Sequence, residues 1–119
     1  MDIENLITQI VACRARSEQA TAMAAEAFGR LLELAERGTS GQARYVARFI
    51  AATFDSQEDR YDPFDLRAVD VAISDDMLTC LDALRWARAD LHTLVADGEA
   101  RARAVIARWG GSSIDGPAH

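Results

Sequence analysis

The sequence predicts an all-α fold, a compact four- to five-helix bundle with a long N-terminal helix. Three observations predict it. Alanine, the strongest helix former, supplies 23 of the 119 residues, while β-branched and aromatic residues are sparse. Apolar residues recur at steps of three and four, and no alternating strand pattern occurs. Cap and stop residues, such as Gly38, Thr39-Ser40 and Asp62-Pro63, fall between the periodic runs. A chain of this length reads as one domain, residues 1–109, followed by a tail, 110–119, expected to be mobile. Such a domain buries roughly two thirds of its unfolded surface without needing a disulfide or a metal.

Residues 2–37 read as one long helix or two abutting ones. Ile3, Leu6, Ile10, Cys13, Ala20, Ala24, Ala27, Leu31 and Leu34 form a core-facing stripe, widened by Ile7, Val11, Phe28 and Leu32. Gly38 stops it. Thr39 with Gln42 fits a capping box for the next helix, and Ser40 is an alternative cap. Residues 42–54 carry so few polar side chains that this helix is expected at the centre of the bundle. Residues 55–62 are a polar loop. Asp62-Pro63 restarts the helix, with aspartate as cap, proline at the first position and Asp65 in the first turn. Leu66, Val69, Ile73, Met77, Cys80, Leu84, Ala87, Leu91 and Leu94 then keep an unbroken rhythm, with a kink or new start expected at Asp70 or Ser74. Asp97-Gly98 breaks the chain, and a last helix spans 99–109 before Gly110-Gly111.

Charge is unevenly placed. Residues 55–82 hold nine carboxylates against Arg60 and Arg67, a net of −7, while the remainder is +1. All 13 basic residues are arginine, which coding bias explains more simply than function. A concentrated acidic surface favours basic partners and disfavours nucleic acid. Asp55, Glu58, Asp59 and Asp62 do not match an EF-hand loop, because Arg60 and Leu66 stand where glycine and glutamate are needed. A solvated face with helix caps is the plainer reading of this segment; a protein-docking surface is the functional one. Tyr61 and Phe64 bracket the Asp62-Pro63 corner. Phe64 is expected to staple into the core. Trp86 lies about 200° around the helix from Leu84, which fits either a partner anchor or packing under the first helix. The candidate protein-binding residues are Asp55, Glu58, Asp59, Tyr61, Asp62, Phe64, Asp65 and Trp86. Arg85, Arg88, Arg101, Arg103 and Arg108 read as an ordinary solvated face.

No catalytic, metal-binding or cofactor-binding residue is expected. Cys13 and Cys80 lack metal-type spacing and read as buried free thiols, with a disulfide between them the weaker alternative. His92 and His119 show no oriented base for a nucleophile. Asp70 and Asp76 read as helix-surface residues rather than a carboxylate pair. The acidic start MDIENLI is not expected to be a signal peptide, and no stretch reaches the ~20 apolar residues that span a bilayer.

The stretch from Ala27 to Leu78 is similar to a family of uncharacterised bacterial proteins associated with phages, plasmids and integrated elements. The matching landmarks are Gly38, Ser40-Gly41-Gln42, the Val46–Ile50 helix, Asp65-Leu66, Val69-Asp70, Ala72-Ile73 and Asp75-Asp76-Met77-Leu78. The segment before Ala27 and the final helix lie outside that resemblance. It implies a mobile-element setting and carries over no functional residue. Proteins of that setting often bind host proteins, defence machinery included. The expectation is a non-enzymatic, acidic, cytoplasmic protein-binding module, with inhibition of a CRISPR-type defence complex as its sharpest form. Its expected partner is a host protein with a basic surface. The alternative is a homodimeric helical regulator or DNA-associated accessory subunit; an enzyme without a recognisable motif ranks third. Direct nucleic-acid binding and membrane insertion are not expected.

Overall fold

Four α-helices and two short 3-10 helices, with no strand among the described residues, build the protein. The computed structural model describes residues 2–55, 60–87 and 89–110. Helix α1 runs Ile3–Arg37, α2 Gly41–Phe54, α3 Val71–Ala87 and α4 Gly98–Trp109. The 3-10 helices are Pro63–Ala68 and Leu91–Leu94. The expected tail, from residue 111 on, lies outside the described residues.

Residues 2–37 form one helix, not two. Asp2 caps it by accepting from Glu4 N–H at 3.3 Å, and Gly38 ends it, its N–H donating to Leu34 at 2.7 Å. Ser40, not Thr39, caps α2: its hydroxyl accepts from Ala43 N–H at 3.3 Å. Gln42 is used elsewhere. Its amide oxygen accepts from Asp70 N–H at 2.6 Å and so ties α2 to the start of α3.

α3 runs antiparallel to α1. Ser17 Oγ donates to the Trp86 carbonyl at 2.9 Å, and thirteen residues on, Arg30 forks onto Asp76. α2 packs against both α1 and α4, and buries Ala43, Val46, Ala47, Phe49, Ile50, Ala51 and Ala52. It is therefore the central helix the sequence predicts. Phe28, Leu31, Leu32, Met77, Leu91 and Val105 complete the core.

α4 clamps the C-terminal end of α1. Arg108 Nη1 donates to the Ala35 and Gly38 carbonyls at 2.6 and 2.8 Å, and Trp109 Nε1 donates to Ala35 at 2.9 Å. These carbonyls belong to the last turn of a helix, where intrahelical donors run out. Arg101 adds a bidentate pair with Glu36, both bonds 2.8 Å. Arg101 and Arg108 thus hold α4 to α1, although Arg108 stays exposed and Arg101 is only partly buried.

Two further expectations fail in part or whole. The new start expected at Asp70 or Ser74 is present, since α3 begins at Val71, but the rhythm from there to Leu94 is not one helix. A 3-10 helix precedes α3, which ends at Ala87, and Leu91–Leu94 form a second 3-10 helix. The rhythm persists because every piece faces the same core. Asp97 then adopts the left-handed region at φ 56°, and Gly98 sits against the His92 carbonyl, where a Cβ would collide with backbone.

The second failure is larger. Every residue of α1 up to Arg16 is exposed, and burial begins in earnest at Ala20. At 1.5 Å per residue the 35-residue helix is about 52 Å long. The molecule measures 59 × 29 × 26 Å, so α1 sets its long axis. α3 stops level with Ser17, and the first half of α1 has nothing to pack on among the described residues. The Ile3–Val11 part of the predicted core stripe faces solvent, and Cys13 is exposed rather than buried. Cys80 is buried as expected.

Candidate protein-docking site

The candidate binding residues divide according to what folding does with them. Asp62 caps the first 3-10 helix, accepting from Phe64 N–H at 3.0 Å. Asp65 is buried and ion-paired with Arg48 of α2 at 3.2 Å. A carboxylate desolvated and paired in this way holds the corner to α2 and is not displayed to a partner. Asp55 is the exposed C-cap of α2. Glu58 and Asp59 lie outside the described residues.

The aromatics also separate. Tyr61 meets Phe49 edge-to-face, with ring centroids 5.3 Å apart, and its hydroxyl donates to Met77 Sδ at 3.5 Å. Burial, reinforced by Asp65 and Asp62, pushes its phenol up to about 12. Phe64 does not staple into the core. It is 68% exposed, with the Arg67 guanidinium over its ring at 4.9 Å. Pro63 at the first 3-10 position fixes the corner so that the next side chain points outward. Trp86 is partly buried where α1 leaves the body, with Arg16 over its ring at 4.6 Å and Arg85 at 5.3 Å.

The acidic segment is partly neutralised in space. Asp76 receives a bidentate fork from Arg30 at 2.8 and 3.0 Å, Asp82 pairs with Arg85 at 2.7 Å, and Asp65 holds Arg48. Its net charge as a surface is therefore lower than the count along the chain. Among the described residues no group of three or more His, Cys, Asp or Glu gathers as a metal site.

Beside this corner lies an open, largely apolar cavity of about 520 Å³. Phe49, Ala52 and Thr53 of α2 form one wall, Leu81 and Leu84 of α3 the other, and Arg60 and Tyr61 the rim. Its size falls in the range of small-ligand and side-chain clefts, about 300–1,000 Å³. Leu78, one turn before Leu81, is also exposed and extends the apolar face along α3. Of the described candidates read from sequence, only Tyr61 lines this cavity. Leu81 was missed. A signal existed: Leu78, Leu81 and Leu84 form a three-residue ladder beside the buried Met77–Cys80 stripe, wider than one packing partner requires.

A family pattern covers most of this architecture. The chain belongs to a family of unknown function (DUF7673), which matches residues 25–110. The match is broader than the sequence resemblance, since it takes in α4. It starts close to where α1 becomes buried and leaves out the projecting half of that helix. No curated protein and no solved structure matches the chain.

Proposed function

We propose that this member of the family is a non-enzymatic protein-binding module that docks a host protein through the cavity between α2 and α3. The observation that carries the reading is the cavity itself: an apolar cleft of about 520 Å³ with exposed leucines on one wall and a Tyr61–Arg60 rim. Apolar area held open at a folded surface is characteristic of interaction sites. The partner that fits presents an apolar side chain flanked by basic residues. The net charge of −6 and the exposed Asp62, next to Tyr61 of the rim, favour that polarity and a salt-sensitive encounter. The resemblance to proteins of mobile elements extends the reading to stoichiometric inhibition of a cytoplasmic bacterial defence complex of the CRISPR type. The DNA-associated alternative draws less support, because Arg85, Arg101 and Arg108 are engaged within the chain.

The test pairs wild type with the Leu81→Ala/Leu84→Ala variant in capture from a bacterial lysate, followed by kinetics with the purified captured protein. The reading expects a basic partner whose association slows with salt, and faster dissociation from the variant. Equal capture and equal dissociation rates for the two baits would refute it.

A further inference from the structure

Among the described residues, nothing packs on the projecting half of α1, an amphipathic helix. Ile3, Leu6, Ile7, Ile10 and Val11 are 45–72% exposed. At 100° per residue they fall within an arc of about 140°. That arc continues the face which Ala24, Phe28, Leu31 and Ala35 bury further along the same helix. The sequence therefore writes one continuous packing stripe, and the described residues cover only its second half. Isolated, a 14-residue helical arm is marginal in water, since most helical stability in proteins comes from packing an apolar face.

The charges on the arm name its occupant. Asp2 and Glu4 stand at its tip and Arg14 and Arg16 at its root. Asp2 with Arg16, and Glu4 with Arg14, are both symmetric about Gln9. We propose that the arm is a self-association surface, pairing antiparallel with the arm of a second copy about a two-fold axis near Gln9. In that register each acidic tip meets a basic root, twice over by symmetry, and Ile7 lies level with Val11 of the other copy while Leu6 and Ile10 interleave. A parallel pair would stack acid on acid and arginine on arginine.

The area is sufficient. Five half-exposed aliphatics contribute on the order of 100 Å² each, so the pair buries roughly 1,000 Å², the lower bound for a specific interface. The surface shares no residue with the cavity between α2 and α3, and its success or failure is independent of the docking reading.

The experiment is sedimentation of the full chain from micromolar to hundreds of micromolar, with variants on exposed positions that leave the packed body intact. Wild type should dimerise reversibly. Leu6→Asp/Ile10→Asp should sediment as a monomer with an unchanged helical spectrum of the body. Glu4→Arg alone and Arg14→Glu alone should each weaken the dimer by about tenfold, because each turns two attractive contacts repulsive. The combined Glu4→Arg/Arg14→Glu chain should recover wild-type affinity. Antiparallel pairing also keeps the two Cys13 residues about 12 Å apart along the helix, beyond disulfide reach. A wild type that stays monomeric throughout, a double charge swap that fails to recover, or ready oxidation to a Cys13–Cys13 dimer would each overturn the proposal. So would a monomer that instead floats with vesicles of anionic phospholipid, which would assign the arm to a membrane surface.

Discussion

Leu6 and Leu31 occupy the same stripe of the same helix, and truncating them should have opposite consequences. Leu31 is 1% exposed in the centre of the core, whereas Leu6 is 45% exposed on the projecting arm. Leu31→Ala removes three buried carbons, worth about 0.8 kcal/mol each in transfer free energy. The surrounding side chains, Phe28, Leu32, Val46 and Ile50 among the buried set, cannot all collapse into the space, which adds a cavity cost. The total should be roughly 3–4 kcal/mol, within the usual range for leucine truncation. Against a domain stability of about 5–15 kcal/mol this is a large fraction. Leu6→Ala should stay within about 0.5 kcal/mol, because the arm is solvated in the monomer and alanine is the better helix former. The assay is urea denaturation followed by circular dichroism, at protein concentrations low enough that self-association does not contribute. Equal losses at the two positions would refute the reasoning, since they would mean that the first half of α1 is buried after all. A loss below about 0.5 kcal/mol at Leu31 would remove that residue from the core.

Two further predictions test chemistry. Cys80 is buried and its thiol is pushed up to about 12, first by burial and then by Asp76, whereas Cys13 is exposed. A thiol reagent at pH 8 should therefore modify one cysteine in the native protein and two in denaturant, and rapid modification of both under native conditions would contradict the packing of α3 on α1. The Arg101 fork holds the Glu36 carboxyl below its usual range, so the pair stabilises the fold above the unfolded carboxylate pKa and that contribution is lost as pH falls through the lower, folded one. Glu36→Gln should therefore be less stable than wild type at pH 7, by well under 1 kcal/mol because both side chains are partly solvated, and the difference should shrink toward pH 3; a difference that is constant with pH in urea titrations would show that the pair does not carry it.

Element type was legible because it is local. The three–four apolar rhythm, the Asp62-Pro63 start, the stops at Gly38 and Gly110 and the near-absence of polar residues in α2 each act within a few residues of themselves. Burial was not legible in α1 because it depends on the length of another element. The stripe from Ile3 to Leu34 is periodic throughout, but only a neighbour running alongside can cover it, and α3 ends at Ala87, level with Ser17. The helix break before Leu91 was hidden for the complementary reason. Met77, Cys80, Leu91 and Leu94 keep helical spacing across it because both pieces face one core, so the pattern records the core's position and not the continuity of the backbone. Gln42 shows the same limit on a smaller scale: its spacing from Thr39 fits a capping box, but its amide binds Asp70, twenty-eight residues away.

The candidate site was harder to read, and charge explains why. Counting along the chain makes residues 55–82 a block of −7. Folding brings Arg30 from α1 onto Asp76 and Arg48 from α2 onto Asp65, from positions that the block does not contain. An acid spent on such a pair fixes one helix against another and is lost as a recognition feature, as the buried Asp65 illustrates. What stays open at that corner is apolar: Phe64 standing outward, and the cleft that Phe49, Tyr61, Leu81 and Leu84 form from positions up to 35 residues apart. The exposed Asp62, next to Tyr61 of the rim, can speed an encounter with a basic partner. The leucines and the tyrosine are better placed to hold it, because desolvated apolar and aromatic contacts concentrate binding energy. Substitutions at Leu81 and Leu84 should accordingly change dissociation, and one at Asp62 association, which makes the two contributions separable in one kinetic series.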